Sequence, residues 1–189
     1  MNAPPDYFEK IAAEEGPFAK RLAEFLGQRL GTAPTIDVGC GPGIYTQELR
    51  LHGVEALGVD SDPFAAQAHP DYCFTKDILS FEYLSWVWMQ HTHFALCLEV
   101  FEHIEPEYAD RAVAALAATA PHILFSAAMP GQGGEHHVNC QPKHYWLHKF
   151  CRCGFYYRPA ETEEIVAFAR AGYHMGWFVN NAMVLRKAV

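Results

Sequence analysis

The most informative segment of the sequence is Asp37-Val-Gly-Cys-Gly-Pro-Gly43. It follows a short apolar segment, residues 34–38, that is typical of a buried strand, and it precedes a helical pattern over residues 44–50. Three glycines within seven residues permit a sharp turn that can approach a ligand closely, because no Cβ stands in the way. A strand, a glycine turn and a helix in this order indicate the first unit of an open α/β sheet.

The rest of the chain continues this alternation of strands and helices. A helical apolar stripe runs from Tyr7 to Leu30, and the pair Gly16-Pro17 predicts a break within it. Further strands are predicted over residues 54–59, 72–74, 94–98 and 123–127, a helix over residues 106–118, and a closing strand near residues 182–185. Strands that alternate with helices predict right-handed crossovers and a parallel sheet that is covered on both faces.

Length and composition limit the architecture and the partners. The 189 residues predict one domain, with N-terminal helices over 1–31, a core over 34–128, and an acceptor-side region of loop, helices and closing strands over 129–189. The net charge of −8 argues against nucleic acid or an anionic membrane as a partner. Six scattered cysteines and no evident signal peptide predict reduced thiols in the cytoplasm, with Cys151 and Cys153 packed in the core.

The glycine turn also bears on the choice of cofactor. A dinucleotide fingerprint would require glycine at position 44, where this chain has Ile44, and Pro42 removes an N–H that a pyrophosphate could use. These features argue against a nicotinamide-dependent oxidoreductase. Asp60, at the end of the second strand, can accept both hydroxyls of a ribose, although a helix-capping turn is the alternative interpretation of that acid.

Four motifs in order resemble those of class I S-adenosylmethionine-dependent methyltransferases. They are the glycine turn over 37–43, Asp60, the triplet over 76–78 and the stretch over 94–104, so the resemblance covers roughly residues 34–128. It implies a Rossmann-like three-layer αβα sandwich with a mostly parallel seven-stranded sheet whose last strand is antiparallel. It also implies S-adenosylmethionine as the cofactor and S-adenosylhomocysteine as the product.

The same resemblance assigns residues to each part of the cofactor. It implies that Asp37, Gly39, Cys40, Gly41 and Gly43 hold the methionine portion, that Asp60, Ser61 and Asp62 hold the ribose, that Asp77 and Ile78 hold the adenine, and that Leu98 and Glu99 close the site below the sulfonium.

Two further titratable residues follow Glu99 closely in the sequence. His103 could accept a proton from a substrate, but we favour the simpler interpretation that Glu102 and His103 begin the next helix, with the glutamate in its first turn.

The acceptor side is predicted in the glycine-rich loop that begins at residue 129 and in the aromatic helix after it. We predict His137 as a catalytic base oriented by Asn139 and Tyr145, because an imidazole titrates near neutral pH. The other predicted acceptor contacts are His136, Asn139, Tyr145 and Trp146. No metal is expected, although the His- and Cys-rich run over 136–153 leaves a structural metal open as an alternative.

Together these features predict a methyltransferase that acts on an O or N atom of a small-molecule acceptor. The chain is expected to be a monomer or a homodimer. The alternative is a catalytically inactive, methyltransferase-like protein that binds the nucleoside and serves as a regulatory or scaffold partner.

Overall fold

A single mixed sheet of seven strands forms the middle layer of the molecule. The structure is a computed structural model that describes residues 5–63, 65–172 and 175–188. The strands are β1 (Thr35–Val38), β2 (Ala56–Asp60), β3 (Cys73–Thr75), β4 (Phe94–Leu98), β5 (His122–Ser126), β6 (Phe155–Tyr157) and β7 (Met183–Lys187). Their order is β3-β2-β1-β4-β5-β7-β6.

The strand directions confirm the predicted sheet. Strands β1 to β5 pair in parallel, whereas β7 is antiparallel to both of its neighbours, β5 and β6. The central strands β1 and β4 are buried almost throughout. The sequence of β4 is entirely apolar, as is typical of a strand that is covered on both faces, whereas β1 also buries Thr35 and Asp37.

Helices cover both faces of the sheet and complete the three layers. They are α1 (Pro5–Leu30), α2 (Ile44–Leu51), α3 (Phe81–Trp88), α4 (Ala109–Thr119), α5 (Lys143–Arg152), α6 (Pro159–Gly172) and α7 (Gly176–Asn181). Helices α3, α4 and α5 pack into one core cluster, and α1, α2, α6 and α7 pack into the other. The side chains of β5 alternate between the two clusters, because successive strand residues point to opposite faces.

Two local predictions differ from the structure. The N-terminal segment forms one helix, α1, that continues through Gly16 and Pro17, so the predicted break and the plural helices over 1–31 are wrong. Proline at that point removes one hydrogen bond of the helix, but the stripe formed by Phe18, Leu22 and Leu26 is almost fully buried and holds the helix together. The helix predicted over 106–118 begins as a 3-10 turn, Pro106–Tyr108, before α4.

The long apolar segment over 112–129 is divided between the end of α4 and β5, as its Pro121-His122 step predicts. Within the residues that the structure describes, no helix combines the length and the apolar character needed to cross a membrane.

Candidate active site

The candidate site lies where the carboxyl ends of the parallel strands meet. The glycine turn follows β1, Asp60 ends β2, and Glu99 follows β4. In open α/β sheets this edge is where ligands bind, because the loops after the strands diverge there and leave a crevice.

The glycine turn has a conformation that only glycine adopts easily. Gly39, Gly41 and Gly43 all have positive φ angles, of 74°, 50° and 78°. A Cβ on Gly39 would lie 2.3 Å from Cγ2 of Val100, so the turn packs directly against the segment that follows β4. Glycine is therefore required at these positions by the positive φ angles and, at Gly39, also by the close packing against Val100.

Asp60 is held in place by the backbone around it. Its Oδ2 accepts a hydrogen bond from the N–H of Gly41 at 2.9 Å, and its Oδ1 accepts one from the N–H of Asp62 at 2.8 Å. Burial raises the pKa of the Asp60 carboxyl, and these backbone donors oppose the rise. Ser61 is exposed and Asp62 is buried, so the three residues form a tight turn beside the glycines.

Asp37 is a buried acid below the same turn. Only 3% of the residue is exposed, and its Oδ2 accepts a hydrogen bond of 2.7 Å from the hydroxyl of Thr46. Burial raises the pKa of Asp37 to about 7, and the nearby Asp60 carboxylate adds to the rise. A cation next to Asp37 would favour its ionised form.

The predicted adenine contacts lie at the end of β3. Asp77 is exposed, and its Oδ1 accepts a hydrogen bond from the N–H of Leu79, which fixes the side chain in a local turn. Ile78 is half-buried against the core cluster. Buried Cys40 lies within the glycine turn, where its thiol contacts Cys73, and both cysteines are free thiols.

Glu99 occupies a left-handed conformation that is rare outside glycine, with φ of 52°. Its carboxylate accepts hydrogen bonds from Gln132 Nε2 at 2.7 Å and from Asn181 Nδ2 at 3.0 and 3.1 Å. Half-buried Leu98 precedes it at the end of β4. No sequence pattern pointed to Gln132 or Asn181, which come from the loop after β5 and from the end of α7.

The structure corrects the interpretation of Glu102 and His103 that we favoured from sequence. A short 3-10 turn does begin there, Phe101–His103, but Glu102 is fully buried rather than solvated in the first turn of a helix. Burial, with the Glu99 carboxylate nearby, raises the pKa of Glu102 to about 8. Burial also lowers the pKa of His103, which favours a neutral imidazole.

The structure brings His137 to this turn but gives it different neighbours from those predicted. His137 Nε2 lies 4.0 Å from Oε1 of Glu102, and its Nδ1 lies 3.5 Å from Sγ of Cys140. Asn139 is buried, and its side-chain oxygen accepts a hydrogen bond from Gln141. Within the described residues no hydrogen bond joins His137 to Asn139 or Tyr145, so the prediction that these two residues orient His137 is wrong.

The remaining predicted acceptor contacts are divided between surface and core. His136 is exposed and also has a positive φ, of 59°. Trp146 is 1% exposed and packs against Phe101 and Phe125, so we correct its assignment as an acceptor contact. The helical period of α5 points this indole into the core, whereas Tyr145 stays half-buried beside it.

The His- and Cys-rich run does not converge on one point. On α5, His144 is exposed, and Cys151 is exposed rather than packed in the core as predicted, while Cys153 is half-buried. The group that the structure does bring together consists of Glu102, His103 and His137, whose potential ligand atoms all lie within 4.8 Å of one another. His137, which belongs to this run, thus lies close to Glu102 and His103, which follow β4.

Helix α1 covers the glycine turn. A ring carbon of Phe8 lies 3.7 Å from the position that a Cβ on Gly41 would occupy. Farther along α1, Glu15 accepts a hydrogen bond of 2.7 Å from the hydroxyl of Tyr45 on α2. These contacts place the N-terminal helix against the glycine turn and α2.

A separate cavity of about 640 Å³ opens at the opposite edge of the sheet, next to Ala33, Phe94 and His122. That edge carries the amino ends of the strands, away from the glycine turn and the strand-end acids. Its size alone therefore does not make it the functional site.

A sheet of this order with a glycine turn after β1 and acids at the ends of β1 and β2 defines a class I methyltransferase fold. A family comparison matches residues 9–175 to a methyltransferase domain, and the chain belongs to that family. The cofactor of the family is S-adenosylmethionine. A comparison with curated proteins finds no match.

Solved structures share this fold at low sequence identity. A SAM-dependent methyltransferase from Archaeoglobus fulgidus has a TM-score of 0.71 and 15% identity, with 96% of this chain and 99% of that chain covered. A sugar N-methyltransferase from Streptoalloteichus has a TM-score of 0.66 and 14% identity, with 100% and 94% covered. Magnesium protoporphyrin IX methyltransferase from Synechocystis, with bound SAH, has a TM-score of 0.63 and 15% identity, with 95% and 86% covered.

Proposed function

We propose that this chain uses S-adenosylmethionine to methylate an O or N atom of a small molecule, as a cytoplasmic enzyme. The observation that carries the proposal is the arrangement of Asp37, Asp60 and Glu99 at the ends of three adjacent strands, around a turn of glycines. A ligand with an ammonium, a ribose diol and a sulfonium fits three separated carboxylates, because each carboxylate can pair with a different part of it.

The residues present fit this cofactor on several independent points. The carboxylate of Asp60 is fixed by two backbone N–H groups and keeps lone pairs free for ribose hydroxyls. Asp37 has a hydroxyl partner, Thr46, but no ion-pair partner among the described residues, so an ammonium group would supply its missing positive charge. When bound, S-adenosylmethionine supplies a methyl group that is already activated by its sulfonium.

The protein's own contribution is then to position the acceptor and to exclude water. Glu99 is held at the strand end by Gln132 and Asn181, and Phe8 of α1 lies over the glycine turn. Correct alignment of two reacting groups can supply about 7–11 kcal/mol of the barrier reduction. A rigid strand-end edge beneath a covering helix provides such alignment.

We propose that the acceptor lies beside His137, with His136 at the exposed rim of the same loop. His137 is half-buried and lies next to the turn that follows Glu99, so it faces the region where the methyl group would be presented. An imidazole there can accept a proton from an acceptor that carries one at neutral pH. Asn139 is buried, and we assign it to holding the loop rather than to touching the acceptor.

A small molecule is the acceptor class that the charge and the comparisons support. The net charge of −8 disfavours a phosphate backbone. Two proteins of the same fold are a sugar N-methyltransferase and a porphyrin methyltransferase, and both names denote small-molecule acceptors. The predicted monomer or homodimer remains part of the proposal.

The test begins with calorimetric titration of the protein with S-adenosylhomocysteine. The protein is then incubated with methyl-labelled S-adenosylmethionine and fractionated metabolite pools, and label transfer and S-adenosylhomocysteine are measured. Binding with turnover supports the proposal, and binding without turnover on any pool would favour the scaffold alternative. No binding at millimolar nucleoside would refute both.

A further inference from the structure

Three side chains converge beside the proposed acceptor position, from two segments far apart in the sequence. Glu102 and His103 come from the turn after β4, and His137 comes from the loop after β5. The rings of His103 and His137 meet edge to face, with their centroids 4.9 Å apart. Two imidazoles and a carboxylate therefore present their ligand atoms to one small volume.

The carboxylate of Glu102 is buried without adequate compensation. The residue is 0% exposed, and neither carboxylate oxygen accepts a hydrogen bond of normal geometry from the described part of the chain, so that only the backbone N–H groups of Glu102 and Ala128, which oppose the rise in its pKa, favour its ionised form from nearby. Among the described residues its only ion-pair neighbour is His137, at 4.0 Å, and the carboxyl group of Glu99 lies near enough to raise the pKa of Glu102 further. A buried carboxyl group is protonated, paired with a cation or bound to a metal, because an isolated buried charge is costly.

The backbone fixes the two segments against each other. The carbonyl oxygen of Glu102 accepts hydrogen bonds from the N–H groups of Val138 and Asn139, both at 2.9 Å. His137 is therefore anchored to the same turn that carries Glu102 and His103. A site whose ligands are held in this way needs little rearrangement to bind a cation.

We propose that Glu102, His103 and His137 form a binding site for a divalent first-row transition-metal ion. Two imidazoles with one carboxylate suit ions such as Mn²⁺, Fe²⁺, Co²⁺ or Zn²⁺ better than Ca²⁺ or Mg²⁺, which prefer oxygen ligands. Three protein ligands leave coordination positions open for an acceptor atom. This site replaces the expectation that the chain has no metal.

The catalytic role of this metal site rests on the proposed function, whereas the existence of the site does not. A divalent ion at this position favours an acceptor that can offer an oxygen ligand, such as a hydroxyl. It also refines the role of His137, which then acts on the acceptor as a ligand of the ion rather than as a free base.

The test uses the full chain, freed of metal by a chelator and titrated with Co²⁺ alone. We expect one Co²⁺ per chain, visible absorption from the bound ion, and at least about tenfold weaker binding in Glu102→Gln and His137→Asn. His144→Asn is the control, because His144 belongs to the same His- and Cys-rich run but is exposed on α5. Circular dichroism and the affinity for S-adenosylhomocysteine show whether each variant is folded.

The outcomes separate this inference from the proposed function. If wild-type protein binds no Co²⁺, or if Glu102→Gln and His137→Asn bind it as tightly as wild type, the metal site is refuted while nucleoside binding stands. If Glu102→Gln does not fold, His103→Asn and His137→Asn carry the test. Co²⁺ binding without nucleoside binding would instead retain the metal site and refute the proposed methyl transfer.

Discussion

The backbone N–H of Gly41 donates a 2.9 Å hydrogen bond to Oδ2 of Asp60, which joins the turn after β1 to the end of β2. This contact links two motifs that stand nineteen residues apart. It makes the proposed ribose-binding acid and the proposed methionine-binding turn parts of one rigid unit.

We expect Asp60→Ala to lower the affinity for S-adenosylhomocysteine by about 10- to 100-fold. Each hydrogen bond to a charged group contributes about 1.5–3 kcal/mol, and about 1.4 kcal/mol corresponds to a factor of ten. Calorimetric titration measures the change, and Asp71→Ala is the control because Asp71 is an exposed acid outside the turn. An unchanged dissociation constant in Asp60→Ala would contradict the ribose role.

The affinity of wild-type protein for S-adenosylmethionine should fall as the pH is lowered through about 7. The pKa of Asp37 is raised to about 7, so the carboxyl is ionised above that pH and neutral below it, and only the ionised form pairs with an ammonium. Titrations between pH 5.5 and 8.5 should show this dependence, and Asp37→Asn should remove it. A dependence that persists in Asp37→Asn would assign it to another group.

The same raised pKa predicts how stability depends on pH. Because folded Asp37 binds its proton more tightly than the unfolded chain does, its contribution to stability falls as the pH rises from about 4 to about 7. Urea unfolding of the unliganded protein across this range should show a smaller decline in Asp37→Asn than in wild type. Identical slopes would mean that Asp37 is ionised in the folded protein at acidic pH.

Gly39→Ala should destabilise the protein more than Gly53→Ala does. Both glycines have positive φ angles, 74° and 85°, and alanine in that conformation costs about 1–2 kcal/mol. A Cβ at position 39 would also collide with Val100, whereas a Cβ at position 53 meets nothing within 4 Å. The difference between the two variants in the free energy of unfolding measures the cost of the collision. Adding Val100→Ala to Gly39→Ala should restore part of the lost stability.

Asn181→Ala should destabilise the protein by about 1–3 kcal/mol and lower turnover. The substitution removes the amide that donates to both carboxylate oxygens of Glu99, and Asn181 is fully buried. Asn180→Ala is the matched control, because its neighbour Asn180 is exposed on the same short helix. Equal effects of the two substitutions would show that the contact with Glu99 is unimportant.

His137→Ala should lower kcat by about 10²-fold or more while the affinity for S-adenosylhomocysteine stays near that of wild type. Loss of an imidazole that activates the acceptor, whether as a base or as a ligand of the proposed ion, costs about this much, and no described contact of His137 reaches the glycine turn. His144→Ala serves as the control. Equal turnover in His137→Ala and wild type would remove His137 from the acceptor side.

Much of the proposed cofactor site could be predicted from sequence, because the patterns that indicate it lie within short segments. The positive φ angles of the glycine turn follow from glycine alone, and the position of Asp60 follows from the end of an apolar strand. The acceptor side could not be predicted in this way. Its contacts join segments from after β4, from after β5 and from the end of α7, and no period in the sequence links Glu99 to Asn181 or Glu102 to His137.

Trp146 and Pro17 are single residues at which the local sequence pattern and the tertiary packing disagree. Aromatic character alone could not tell a pocket wall from a core residue, and the register of α5 turned Trp146 into the core. The local preference of Pro17 for a helix break was overridden by the burial of the stripe beside it.

The alternating α/β architecture, the glycine turn and the acids at the strand ends can be predicted from sequence, because each depends on backbone preference or apolar pattern within a few residues. The burial of Glu102 without a hydrogen bond of normal geometry, and the convergence of His103 and His137 on it, become visible only in the folded chain. Burial and convergence depend on how distant segments pack together, and that packing has no signature in any short stretch of the chain.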